Sequence, residues 1–530
     1  MSSFTPHRPG RRAGRDGFPR LLRAEWAGFR SARGLVLAMA ASVLVTVSLG
    51  LLIAGGARST CVTSKGEGPC PAPLVGPDGT AVQDKYYFVH QPLKGNGDIT
   101  ARVSGMTGQM RLPDAVPGVR NVKEGAVPWA KAGLLVRQSL TRGMPYAAVM
   151  TTGGHGVRMQ HDFVHDVAGG PAREPLWLRL TRSGDTVTGY ESGDGETWTE
   201  VGTVTLPGLP ETVEIGLFAA SPGVLWETAK AFAEATATFD QIGLRGANGP
   251  WRHDDVGVSL GPDGRTPHHP GGVVESGDRL IVTGSGDIGP ATVEGGMRAD
   301  LMLTGGAVGL IPVLVAAVSF LTAGHRRRPS GTGPPNEPDE PDAPDEPDEP
   351  RPERPVRRLV AKAVVVGAVA FVTGLVTSGV VVPAGLALLR ANQNPIQPIT
   401  LGTGLRVVVG HAALTAAAAV LALGLAVLVG RRVVAAVLAV ALVVVPSLAV
   451  PFLPSGAGLA PWLLTATPAA GFAITQSVPT FAHVDVGWSP LGGYHPLPPW
   501  AGLAVIFGYA ALALGAAAAV HRENRAKVPR

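Results

Sequence analysis

Charge is scarce in this chain of 530 residues: Asp, Glu, Lys and Arg make up 16% of it, against roughly 25% in ordinary soluble domains. The shortage is uneven. Six runs contain none of the four, at 35–54, 301–323, 363–389, 407–429, 433–453 and 501–520. A helix of about 20 apolar residues crosses a hydrocarbon core of about 30 Å, and none of the six falls meaningfully short. A wholly soluble or secreted protein is thereby excluded. Cysteine is nearly absent, with only Cys61 and Cys70, too few for a four-ligand zinc site when no His or acidic cluster lies nearby. A Gly-x-x-x-x-Gly-Lys-Ser/Thr phosphate loop is missing, so the chain does not bind ATP by that route. No cofactor is expected.

The basic residues set an orientation. Segments 1–34, 324–362, 430–432 and 521–530 carry 8, 8, 2 and 4 Lys or Arg, whereas 390–406 holds only Arg390 and Arg406, and 454–500 holds none. By the positive-inside rule both termini are cytoplasmic and 56–300 is extracellular, in a multi-pass protein of the plasma membrane. The net charge of +5 is explained by this topology, and nucleic acid is not expected as a partner. The run 35–54 reads as a retained anchor, because it is long, lies well inside the chain and lacks a small-residue cleavage site. Outside the membrane a disulfide between Cys61 and Cys70 is permitted, with free thiols in a flexible stalk as the alternative.

From about 84 to 245 short alternating runs replace the apolar ones. In Asp98-Ile-Thr-Ala-Arg-Val103 the residues Ile99, Ala101 and Val103 take one face of a strand. Further strands are expected near 133–138, 146–151, 156–160, 176–182, 186–191, 197–204, 213–218 and 236–244, with Ser183-Gly184-Asp185 and Gly193-Asp194-Gly195 as turns. So many short strands imply a sandwich or jelly roll. The stretch Trp177-Leu-Arg-Leu-Thr-Arg-Ser-Gly-Asp to Trp198-Thr-Glu-Val-Gly202, preceded by Trp129-Ala-Lys-Ala-Gly-Leu-Leu-Val-Arg137, resembles the concanavalin-like lectin and glucanase jelly roll. The resemblance implies a fold and leaves the ligand open.

Three readings compete there. Glycoside hydrolysis would need two carboxyls across a cleft, and Glu191, Asp194 and Glu196 are the candidates, but glycines set Asp194 at a turn tip, which suits a solvated hairpin. A glycan or cell-wall ligand would be met by Trp177, Tyr190 and Trp198, whose alternative is cross-strand packing. His155 reads as a turn residue. Segments 56–83 and 246–300 are expected as a stalk and as a linker or small β unit, in which Leu280 and Val282 finish a strand and Asp287 is poor support for a cation site.

Leu21-Leu-Arg-Ala-Glu-Trp-Ala-Gly-Phe-Arg30 brings Leu22, Trp26 and Phe29 together, which suits a helix lying at the membrane surface; a plain basic flank is the alternative. The Pro-punctuated acidic run 334–350 belongs to a disordered linker at 324–358. Transmembrane helices 3 to 6 fill 359–530, apart from an external segment at 454–500. Gly367, Gly374 and Gly379 and the many alanines imply a packed bundle. Charge deep in the membrane is absent, which argues against a proton relay. His411, one turn inside the fourth run, reads as an interfacial anchor or a functional group.

The expected fold is therefore an α-helical membrane bundle of six transmembrane helices, with an extracellular all-β jelly-roll sandwich inserted between spans 1 and 2. Leu22-Arg-Ala-Glu-Trp26, one span, a large external insertion, a second span closed by Arg326-Arg327, and four more spans resemble the six-helix permease of type 2 ABC exporters. Trp462 to Gln476 and Tyr494-His-Pro-Leu-Pro-Pro-Trp-Ala-Gly502 resemble the external re-entrant segment and last span of actinobacterial members. The resemblance implies an ABC ATPase subunit as partner, contacted through Leu22, Arg23, Glu25, Trp26 and Phe29, and a homodimer or paired permease in the lipid bilayer. It implies no catalytic residue here, since ATP is hydrolysed in the partner. The acidic linker departs from the family, with Arg351, Arg354, Arg357 and Arg358 as a remaining basic face. A surface glycan-binding or sensor protein anchored by six helices is the alternative.

Overall fold

The computed structural model describes residues 17–63, 66–112, 121–226, 229–257, 259–260, 267–268, 271–291, 295–321, 354–453, 458–484 and 493–526. The acidic run 334–350 falls outside them, while residues 354–358, assigned to the linker, already form the first turn of a helix.

The apolar runs fold as α2 (Arg33–Gly56), α3 (Gly306–Phe320), α4 (Arg354–Ala391), α5 (Leu401–Val429), a bent pair and a C-terminal helix, α8 (Pro499–Ala526); α1 (Gly17–Ser31) precedes them. With the 3-10 turn Ala299–Leu303 leading into α3, five helices among the described residues are long and apolar enough to cross a membrane. The bent pair, α6 (Arg432–Val443) and α7 (Val445–Ala449), counts as one further candidate with a bend of 47°. Pro446 accounts for the break, since it lacks an N–H and its ring collides with the preceding turn. Leu37, Leu44 and Leu52 on α2 are all more than 60% exposed. Water would penalise such a surface and a bilayer would not.

Between α2 and α3 in the chain lies an antiparallel β-sandwich. One sheet joins Tyr86–Lys94, Lys131–Arg137, Tyr146–Thr152, Val157–His161, His165–Ala168, Thr212–Ala220 and Arg252–Val256. The other is built on Gly97–Leu112, Leu176–Ser183, Thr186–Ser192, Thr199–Thr205, Ala229–Arg245, Gly272–Ser276 and Arg279–Ser285. Ile99, Ala101 and Val103 face inward with Leu178 and Leu180, against Leu134, Val149 and Leu217 of the facing sheet.

The sandwich reaches beyond 84–245 at both ends. In the segment expected as a linker or small β unit, Arg252–Val256 and Arg279–Ser285 are strands of the sandwich sheets, the second carrying Leu280 and Val282. The expected stalk is no free tether either: Val82–Asp84 pairs with Ile288–Pro290. These segments form a third layer over the outer face of the first sheet, where Leu74, Val82, Phe163 and Ile288 pack on Tyr86, Leu135, Tyr146 and Phe218. Hence Lys131–Arg137 and Tyr146–Thr152 are buried on both faces. The Asp287 carboxylate is engaged in this layer, where it accepts from Lys131 Nζ at 2.6 Å. Cys61 and Cys70 are joined by a disulfide.

Sandwich and bundle meet along three seams. Asn392 Nδ2 donates to Ala54 O at 3.0 Å and Asn394 Nδ2 to Ala57 O at 2.9 Å, and Ser59 Oγ donates to Asn394 Oδ1 at 2.8 Å. Met297 N donates to Pro395 O and Gln397 N to Met297 O, at 2.7 and 3.0 Å. His483 Nε2 lies 3.2 Å from Phe163 O.

Candidate coupling site at the ends of α1, α3 and α4

Leu22, Glu25 and Phe29 follow one another at helix spacings of three and four, so they share a face of α1. That face lies against the bundle: Glu25 is 6% exposed and Phe29 3%. Glu25 Oε1 accepts from Arg358 Nε and Oε2 from Lys362 Nζ, both at 2.8 Å. Lys362 also donates to Phe320 O at 3.1 Å, one of the carbonyls a helix end leaves unpaired. Its ammonium sits 4.2 Å from the centre of the Phe320 ring, whose other neighbour is Phe29 at 5.2 Å, edge to face. The closed circuit Glu25, Lys362, Phe320, Phe29 ties α1 to α3 and α4.

Trp26 is 48% exposed while Phe29 is buried and Leu22 half-buried, so the face of Leu22, Trp26 and Phe29 is not buried as one. Arg23 is exposed with Arg20 and Arg30. Arg358 is paired with Glu25 and remains about half exposed. Both ion pairs link residues more than 330 positions apart, and only the lone acid in a basic helix hinted that Glu25 needed a partner.

His411 is 3% exposed, with its ring beside Gly306 of α3, so it is buried in the bundle and is not an interfacial anchor. Gly374 and Gly367 do face neighbouring helix α5, whereas Gly379 meets open space.

Trp177, Tyr190 and Trp198 share the outer, half-buried face of the second sheet. Guanidinium groups cover the two indoles: Arg179 stands 3.9 Å from the Trp198 ring centre and Arg102 6.0 Å from that of Trp177. Arg102 is itself held by Asp240 at 2.6 Å. Of the three carboxylates, Asp194 and Glu191 are held by local hydrogen bonds. Asp194 accepts from Thr197 N at 2.7 Å, Glu196 N at 2.9 Å and Ser192 Oγ at 2.9 Å, which holds its carboxyl well below the usual range. Glu191 caps Gly170 N at 2.8 Å. His155 stacks on Trp129 with ring centres 3.9 Å apart, near the His483 seam.

One cluster had no signal in the sequence. His90, fully buried, lies between Glu214 Oε2 at 2.6 Å and Asp254 Oδ2 at 2.9 Å, and stacks on Phe88. Burial opposes its charge, and the two carboxylate hydrogen bonds outweigh burial, so its pKa lies above the ordinary value.

No protein-family model and no curated protein matches the chain. A solved structure described as a functionally unknown protein from Saccharomyces cerevisiae is similar at 15% identity, over 31% of this chain and 76% of that one, with a TM-score of 0.18. At that score it carries no argument about fold or function.

Proposed function

We propose that the chain is the membrane-spanning subunit of a type 2 ABC exporter. It would move a lipid-like, peptide or drug-like substrate outward while a separate subunit hydrolyses ATP. In this reading α6 and α7 count as one of six spans, both termini are cytoplasmic and the sandwich is extracellular. Transport then proceeds by exchange between two bundle arrangements set by the ATPase, and no residue of this chain is catalytic.

The observation that carries the reading is the docking of α1. A basic surface helix is fixed across the ends of α3 and α4 by a buried ion pair, and it leaves Arg20, Arg23, Trp26 and Arg30 turned outward. A partner pushing on that exposed face would act directly on two long apolar helices. The contact face differs from the one expected, since Glu25 and Phe29 are consumed inside the chain.

Affinity purification of the intact protein in mild detergent, followed by mass spectrometry, tests this. An ATP-binding cassette subunit should co-purify in near-stoichiometric amount, and Arg23→Glu with Arg30→Glu should release it while the protein stays monodisperse. A folded, abundant protein that brings no such subunit would sink the exporter reading and favour the anchored glycan-binding protein.

A further inference from the structure

Where α4 ends, a cleft of about 610 Å³ opens between the disulfide-bonded hairpin and the loop that follows the helix. Cys70 and Pro73 form one wall, and Leu386, Arg390, Gln393 and Gln397 the other. That volume lies within the ordinary range for small-ligand sites, about 300–1,000 Å³. We propose that the cleft binds the anionic headgroup of a phospholipid from the bilayer leaflet on the sandwich side, with Arg390 as the phosphate partner.

Three observations carry this. First, among the described residues Arg390 is the sole charged one lining the cleft, and its side chain has no hydrogen bond or ion pair there. Arg298, Arg358 and Arg406 at other helix ends are engaged, by Asp300, by Glu25, and by the carbonyls of Ile474 and Gln476. The carbonyls that would compete for Arg390 at the end of α4 are taken as well, since Leu388 O accepts from Asn392 N and Leu389 O from Asn394 N. A planar guanidinium with free donors suits a phosphate held by two hydrogen bonds.

Second, the position is that of a headgroup. The charge-free run 363–389 stops one residue before Arg390, so the guanidinium stands where hydrocarbon gives way to water. Third, a track for an acyl chain leads to it. Val372, Val376 and Pro383 precede Arg390 at spacings of four and seven, which keeps them on its face of α4. All three are exposed, Val372 and Val376 by 57% and 48%. Free phosphate or glycerol phosphate would use the cation and leave that track bare. The site is independent of whether the chain exports anything.

The test is native mass spectrometry of the purified full-length protein in dodecyl maltoside, incubated with equal amounts of phosphatidylglycerol and phosphatidylcholine. Wild type should retain phosphatidylglycerol with a preference of about tenfold, as expected from one charge-assisted contact. Arg390→Gln should abolish the preference. Ala72→Trp, which fills the cleft from the hairpin side and leaves the guanidinium intact, should abolish it too and covers the case of a misfolded Arg390 variant. Arg431→Gln, exposed at the start of α6, should keep it. Equal retention of both lipids by wild type would overturn the proposal, as would undiminished preference in Arg390→Gln and Ala72→Trp. Displacement of phosphatidylglycerol by an equal concentration of glycerol phosphate would overturn its lipid part and leave a soluble-anion site.

Discussion

Two buried residues, Glu25 and His90, each bridge two partners distant in the chain, and each makes a prediction. Glu25→Ala strands Lys362 without its carboxylate, and losing one partner of a buried pair costs about 3 kcal/mol or more. The half-exposed Arg358 contributes less, because water screens it. Hydrogen exchange of the α1 amides should therefore quicken strongly in Glu25→Ala. In Glu25→Leu with Lys362→Met, where both charges give way to apolar side chains, it should return toward wild type. Equal exchange in wild type and single variant would show that the pair does not hold α1. His90 predicts a pH dependence. A histidine whose folded pKa is raised stabilises the fold fully below its unfolded value, near 6.5, and loses that contribution as pH rises through the folded value. Buried His495, held down to about 4, works in the opposite sense, so the comparison must be made against a variant. The melting-temperature gap between wild type and His90→Gln should be largest below pH 6.5 and shrink above it. A gap that widens with pH would refute the charged clamp. Glu25 was legible as an oddity in the sequence, whereas His90 was not, because Glu214 and Asp254 lie 124 and 164 positions away and no local spacing announces them.

Helices and strands differ in how far their own residues declare them. A charge-free apolar run has few destinations other than a bilayer, so the long helices were readable, though the charged turns that extend α4 back to Arg354 and α5 back to Leu401 were not. The bend at Pro446 went unread, although the proline inside the run 433–453 was signal enough for it. Strands with one wet face, such as Leu176–Ser183, declare themselves by alternation. Tyr86–Lys94 and Arg252–Val256 went unread because the first is buried on both faces and the second is mostly polar, and distant segments supply what covers them. Glycines show the same limit, since composition marks them all as small and only packing separates their roles. A Cβ on Gly374 would stand 2.7 Å from Ala412 Cα, which is backbone and cannot swing aside, while one on Gly379 would meet nothing within 4 Å. Gly374→Ala should cost about 1–3 kcal/mol through overpacking of α4 on α5, read as a lower melting temperature in detergent. Gly379→Ala should leave the melt unchanged, and a loss of similar size at both positions would mean that helix packing is not the cause.

At the scale of the whole molecule, the sandwich is seated on the bundle by polar seams that fall at chain crossings. The most concentrated is where α2 gives way to the sandwich. There the carbonyls of Ala54 and Ala57, left unpaired by the end of the helix, are met by Asn392 and Asn394 from the turn after α4. Asn394 is 6% exposed and also accepts from Ser59 Oγ, so its amide spans helix end, loop and sandwich lead-in at once. Removing it leaves buried polar groups unsatisfied, at a cost of about 1–3 kcal/mol. That cost falls on the local opening of residues 57–60 and not on either core. Arg58 stands in this segment with its side chain exposed, and a protease needs the surrounding backbone to open before it cuts. When opening and closing are fast relative to cleavage, the rate follows the population of the open form. Trypsin should therefore cut after Arg58 about tenfold faster in Asn394→Ala than in wild type, with the product identified by its new amino terminus at Ser59. Ser59→Ala, which removes one of the three hydrogen bonds and leaves the amide on Ala57, should fall between the two. Equal rates in all three proteins would mean that the seam does not restrain the segment, and that the disulfide hairpin and the Met297 crossing seat the sandwich without it.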